Sequence, residues 1–503
     1  MTAPADLVLT GAEVHTLGTL DETHEAVAVR DGRIARVGRA DEVRFLCGVE
    51  TEVIDLGGQV LFPGFVDVRT DLVAAGQALA HADLSGAPPA VCVERLRAAP
   101  DGEWLLGFGY DDGRTDARPL VRADLDRVSE DRPVAVFYAD CGAACLNSVA
   151  LARLREDLPE ADVRTEDGDP TGVVVGAALD AVRDATAPSP AEVPDLVRTA
   201  RDWAVSHGLT CVHDAVRDGR APRVYRDLAR ADDLGLRIRL IHRASHLDAL
   251  LAVGARTGDD EGLVATGAVE VAADGRLGAR TAKLRTPYDD GTDDGQWVAS
   301  PDRLRALVAR ADREGFQVSV RAAGDRAVEV ALDALADASD RRHRIEGAEL
   351  LDDALLDRLA AADVVAAVRP GALQWAGADG RYAQCLGDRW RTTNRVADLL
   401  ARDVPLAFGS DCAPPDPLFG VQQAVTAPAA GQRLSVTEAL RVATAGGAYA
   451  GFDEARLGRI EPGARADFVA LADSPWSVPV GDLAAVDVAL TVVDGDVVYD
   501  GRA

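Results

Sequence analysis

Residues 62–72 read Phe62-Pro63-Gly64-Phe65-Val66-Asp67-Val68-Arg69-Thr70-Asp71-Leu72. A short, largely apolar run of this kind reads as a buried strand, taken here as Leu61–Asp71. Its far end is charged, with Arg69 and Asp71 in place of apolar residues. Seven further runs follow: Leu209–Val216, Leu236–His246, Ala268–Gly275, Gln317–Asp325, His343–Leu350, Val364–Pro370 and Val404–Asp411. Helical stretches separate them, and that alternation predicts a parallel α/β sheet. Eight strands predict a (β/α)8 TIM barrel over residues 62–451, with its site at the strand C-terminal ends. The connection between the first two strands is too long for one helix. Residues 79–200 therefore predict an inserted subdomain at the barrel mouth.

The two ends of the chain read as short strands. Asp31-Gly32 and Asp494-Gly495 each separate two alternating runs, which is a hairpin signal. These ends predict a composite β-sandwich domain from residues 1–61 plus 452–503.

Composition narrows the function classes. With 503 residues and 48% hydrophobic content the chain can bury a large core. A formal net charge of −29 makes nucleic acid and anionic membrane poor partners. Lys283 is the only lysine, so arginine carries almost all the positive charge. The seven cysteines show no CxxC pair, and an odd number in so large a chain predicts reduced thiols and a cytoplasmic setting. Neither a secretory signal nor a membrane span is expected.

The polar residues at the strand tips are the site candidates: Arg69, Asp71, His213, Asp214, His242, Glu270, Asp274, Arg321, Asp325, Glu346, Arg369 and Asp411. For any one of them loop capping is the commoner role, and the set as a whole carries the signal. His213 and His242, at the second and third tips, are the imidazoles expected to face the pocket. Cys412 follows Asp411 and is expected to serve packing. A Ser410-Asp411-His213 triad is excluded because neighbours on one strand point to opposite sides.

The stretch at 62–72 resembles the first barrel strand of the amidohydrolase superfamily, Pro-Gly-Phe-Ile/Val-Asp-Ser-His-x-His. The long family 3 branch is the nearest likeness. It is supported by Arg132-Pro133-Val134 with Leu146-Asn147-Ser148, by Ala273–Ala282 with Pro287-Tyr288, and by Ala323–Ala327, His343–Glu346 and Phe408–Asp411 with Asp416-Pro417-Leu418. The resemblance implies a hydrolase acting on non-peptide C–N bonds with one or two divalent metals such as zinc. Carried over residue by residue, the two first-strand histidines fall on Arg69 and Asp71, and the bridging lysine falls on Glu270. The fifth- and sixth-strand histidines fall on Arg321 and Gly347, and a histidine of the insert falls on Gly142. The general base and metal ligand of the eighth strand survives as Asp411.

A guanidinium has no free lone pair and cannot ligate a metal. No metal cofactor is therefore expected, and an all-oxygen site on Asp71, Glu270 and Asp411 is disfavoured by the arginines beside it. Guanidinium groups are expected to supply the charge that the metal supplies in the family. Three functions follow: a hydrolase with an altered site and Asp411 as base, an inactive homologue (a pseudoenzyme) binding a small anionic ligand through Arg69, Arg321 and Arg369, or a regulatory or structural partner of an active relative. Loss of metal-dependent hydrolysis is the favoured chemistry, and self-association is left open.

Overall fold

The computed structural model describes residues 3–18, 21–99, 102–113, 118–217, 219–291, 293–339, 341–411 and 414–502. Its centre is the predicted parallel barrel. The strands are β1 (Phe65–Thr70), β2 (Leu209–Val216), β3 (Arg237–Arg243), β4 (Val264–Ala272), β5 (Val318–Ala322), β6 (Arg344–Gly347), β7 (Val365–Val368) and β8 (Leu406–Phe408). Each pairs with the next in sequence order. The ring is closed by one parallel bridge, Thr70 to Asp411, in which the Asp411 amide donates to the Arg69 carbonyl at 2.7 Å.

Six of the eight predicted strands ran too long, and the first and last show why. The start of Leu61–Asp71 belongs to another sheet, where Val60–Pro63 pairs antiparallel with Phe468–Leu471. Gly64 is the crossing point, and a Cβ there would lie 2.2 Å from the Thr210 side chain. Only glycine leaves room for the Thr210 side chain there. The last strand is Leu406–Phe408, because the chain then turns to place Asp411 at a φ of 66°.

The helices between strands carry start signals legible in the sequence. Asp71, Ser300, Asp352 and Asp416 each cap a following helix, their side chains accepting the amide three residues on. Helix Pro301–Arg313 buries Leu304, Val308 and Ala311 at helical spacing and leaves its charged face to solvent. The largest apolar core lies between strands and helices. Strands from both chain ends share one eight-stranded sheet. Both Asp-Gly pairs turn as expected, with φ of 50° and 68° at Asp31-Gly32 and 55° and 92° at Asp494-Gly495. Between β1 and β2 the chain forms a separate six-stranded sheet that includes Leu105–Tyr110 and Val134–Tyr138.

Among the described residues no helix is long and apolar enough to cross a membrane. The expectation that every thiol is reduced needs correction. Cys141 is disulfide-bonded, while Cys47, Cys92, Cys145, Cys211 and Cys385 are free. Cysteine spacing alone does not give connectivity, which is why the sequence carried no warning. Cys412, expected to pack, lies outside the described residues.

Candidate functional site

The barrel interior is polar from its middle upward. Arg344 of β6 is fully buried. It pairs with Glu346 at 2.6 Å, donates to the Val68 carbonyl at 2.6 Å, and reaches His213 Nδ1 across the barrel at 2.9 Å. A guanidinium only donates, so His213 accepts through Nδ1 and its ring is neutral. Burial, with Arg344 and Arg239 nearby, holds the imidazole well below its ordinary pKa. Ser319 also donates to Glu346, at 2.8 Å.

Above this layer the strand tips converge on Arg69. Its Nε donates to Glu270 at 2.8 Å, a second nitrogen lies 3.2 Å from the other oxygen of that carboxylate, and its Nη1 pairs with Asp411. Asp411 also pairs with Arg276 at 2.5 Å and lies 3.8 Å from Arg369. Burial alone would raise the Asp411 pKa, but Arg276, Arg69 and Arg369 outweigh it and hold the carboxyl well below the usual range. Glu270 is lowered in the same way, burial being overcome by Arg69 and then Arg321. Both groups are thus fixed anions in a bidentate and bridging lattice.

Arg321 and Arg369 line the same cleft, but neither is tightly paired. The nearest hydrogen-bond partner of Arg321 is the Gly275 carbonyl at 3.0 Å, and among the described residues no carboxylate stands within ion-pair reach. Burial and Arg276 push this guanidinium down to about 10, against the pull of Glu270 and Asp274. Arg369 stacks on Trp375, 5.2 Å from the ring centroid, and stands 3.8 Å from Glu349.

The remaining candidates are placed apart from this centre. Asp71 caps helix Leu72–Ala80 through the Ala74 amide and pairs with Arg217 at 2.9 Å. It shares a gap with Arg69, Glu270 and Asp411 without bonding Arg69. His242 does not face the mouth. Ile241 and Arg243 on either side of it line that gap, so strand alternation sends the His242 ring outward, 6.4 Å from His246. Burial, with His246 and Arg226, lowers it to about 4. His213 does point inward, but it sits one layer below the mouth-lining Ala215. Asp274 accepts the amides of Lys283, Ala323 and Gly324 at 2.8–2.9 Å and orders a loop. Asp325 accepts the Arg285 amide at 2.9 Å.

Arg276 was the residue missed. It sits in the loop after β4, where strand periodicity gives no direction. Gly142 packs against that same loop. A Cβ at that glycine would lie 2.7 Å from the Ala279 Cβ and 3.0 Å from that of Arg276, so the loop carrying Arg276 fills the space of any side chain there. Gly347 is similarly committed, with a φ of 97° that strains any other residue.

Beside the centre lies a cavity of about 440 Å³, walled by strand tips and the six-stranded sheet. It shares Asp71, Ala215, Arg217 and Arg243 with the gap above Arg69. Asp214 lies on its wall, accepting from the Leu72 amide at 2.8 Å and the Tyr225 hydroxyl at 2.9 Å. Burial, then the charge of Asp71, raises Asp214 to about 7.

Known proteins resemble this chain over nearly its whole length. A protein of Bacillus subtilis (strain 168) named "Putative amidohydrolase YtcJ" is 30% identical, covering 97% of this chain and 98% of its own. The N-substituted formamide deformylase of Arthrobacter pascens is 27% identical over 99% of both. Among solved structures, an uncharacterized metal-dependent hydrolase from Pyrococcus furiosus superposes with a TM-score of 0.76 at 27% identity, covering 93% of this chain and 99% of its own. The family model described as "Amidohydrolase family" matches residues 52–499, and this chain belongs to that family.

Proposed function

We propose that this chain carries out no metal-dependent hydrolysis at its barrel mouth and instead binds a small organic anion there. The observation that carries the reading is the position of Arg69, bonded to both Glu270 and Asp411. A divalent ion needs several lone pairs converging on one point. Here Arg69 occupies that point and takes up lone pairs of both carboxylates, and among the described residues no three His, Cys, Asp or Glu side chains gather to hold an ion. The donor set does not fit the family's metal.

Asp411 is a poor base in this setting. Both of its oxygens are engaged by guanidiniums, and its pKa is held far below neutrality. Proton abstraction needs a pKa nearer the working pH. Asp411 and Glu270 therefore act as counter-ions. The groups left to recognise a ligand are Arg321, with no carboxylate in reach among the described residues, and Arg369, loosely held at 3.8 Å. A guanidinium fork suits a carboxylate or a phosphate.

Elemental mass spectrometry of protein purified without added metal or chelator tests this. The expected result is far less than one zinc, manganese or iron per chain, with no hydrolysis of N-substituted formamides after zinc or manganese is added. One metal per chain together with metal-dependent turnover would overturn the proposal.

A further inference from the structure

Resting on the reading of the mouth as an anion site, we propose that the 440 Å³ cavity beside it takes a monocarboxylate with an aromatic or branched apolar body. The volume lies within the range of about 300–1,000 Å³ of small-molecule sites. The wall divides chemically. On one side the rings of Phe108 and Phe137 stack at 5.0 Å and 14°, with Val73, Val216 and Pro188 alongside. On the other stand Arg183, Arg217 and Arg243. A ligand that satisfies both sides has an apolar end and an anionic end.

Arg217 is paired with Asp71 at 2.9 Å and Arg183 donates to the Cys141 carbonyl at 2.6 Å, but Arg183 and Arg243 are undercompensated in charge. Burial, and next the nearby Arg217, push the Arg183 guanidinium down to about 9, and Asp180 at 3.3 Å offsets this only in part. Among the described residues Arg243 has no carboxylate within ion-pair distance. An arriving anion relieves the crowding of Arg183 and gives Arg243 a partner. Charge number is limited from the other direction. Asp71, Asp180, Asp184 and Asp214 line the same cavity, so a phosphate dianion meets more repulsion than a carboxylate. That balance selects a single negative charge.

Isothermal titration calorimetry on the full chain with 3-phenylpropanoate tests the site. The expected result is saturable one-to-one binding. Arg243→Ala weakens it by about tenfold, or about 1.4 kcal/mol. Phe108→Ala weakens it comparably, and 3-phenylpropanamide binds at least about tenfold less tightly than the acid. Arg243 is exposed, so its variant keeps the fold, which a thermal melt verifies. Equal binding of acid and amide, insensitivity to both substitutions, or competition by inorganic phosphate at equal strength would each overturn the proposal, as would no binding at millimolar probe. The metal measurement above is independent of these results. Metal-loaded protein that still binds the acid defeats only the earlier proposal, and metal-free protein that ignores it defeats only this one.

Discussion

Two neighbouring regions of the barrel mouth hold arginines in opposite states. At the centre, Arg69 bonds Glu270 and Asp411, and Arg276 completes Asp411. In the adjoining cavity, Arg183 is crowded by another cation and Arg243 stands without a carboxylate among the described residues. The first region is an internally satisfied lattice and the second leaves charge unspent. Buried pairs of the first kind contribute little net stability but are costly to break. A part-buried cation of the second kind, Arg183, costs stability until something binds it, whereas the exposed Arg243 is solvated. The barrel mouth of this chain thus holds charges locked in close pairs beside charges without a close carboxylate among the described residues.

The sharpest way to break the contrast is Arg69→Ala. It strands the largely buried Glu270 carboxylate and takes one of two close guanidiniums from Asp411, which keeps Arg276, and the expected loss is about 3–5 kcal/mol of unfolding free energy. Chemical denaturation measures it. Arg69→His restores the family's residue type at one position, and the same loss with no gain in bound metal is expected. A stable Arg69→Ala protein would show that the lattice is not internally satisfied.

A pH series sharpens the cavity side. Asp214 is raised to about 7 in the folded chain, against about 3.9 when unfolded. A raised carboxyl keeps its proton in the folded state while the unfolded chain has released it. Its contribution to stability is therefore fully present below about pH 4 and is lost as pH rises toward 7. Asp214→Asn removes that loss, so the variant gains on the wild type between pH 4 and pH 7 in unfolding titrations. His242, lowered to about 4, works in the opposite sense. Its stabilisation is complete above about pH 6.5 and declines as pH falls to 4, so it is the difference between variant and wild type, not the wild-type curve, that isolates Asp214. A pH-independent difference would place Asp214 in water or in an ion pair.

Asp71→Ala is a smaller perturbation. It removes the cap of helix Leu72–Ala80 and the 2.9 Å pair to Arg217, for an expected loss of about 1–2 kcal/mol. Because Asp71 does not touch Arg69, the central lattice survives. The Arg217 released by the change should bind 3-phenylpropanoate more tightly, which calorimetry checks.

How much of this was legible follows from what strand geometry can carry. Eight apolar runs between helices specify a parallel barrel, because both faces of each strand are buried. Arg69, Glu270 and Asp411 were legible together because equivalent tips of parallel strands meet at one end of a barrel. His242 was misassigned by one step of the strand period, its neighbours Ile241 and Arg243 taking the inward face. His213 has the correct face and the wrong depth, a coordinate that periodicity does not hold. Arg276, Arg217 and Arg183 come from loops and a helix outside the strands, where tertiary packing alone decides which side chains reach the mouth.

The smallest stability effect is expected at Arg243, and it bears most directly on the contrast. An exposed arginine with no ion-pair partner among the described residues contributes almost nothing to the fold, so Arg243→Ala should change unfolding free energy by no more than about 0.5 kcal/mol. Arg276 pairs at 2.5 Å with a buried carboxylate, and its removal should cost several times as much, about 3 kcal/mol or more. Measured side by side in denaturant, the two substitutions remove the same guanidinium from positions at one mouth. Equal losses would mean that Arg243 has found a partner in solution and that no charge is held in reserve. Unequal losses in the expected order identify Arg243 as the cation that can be given to a ligand without cost to the fold.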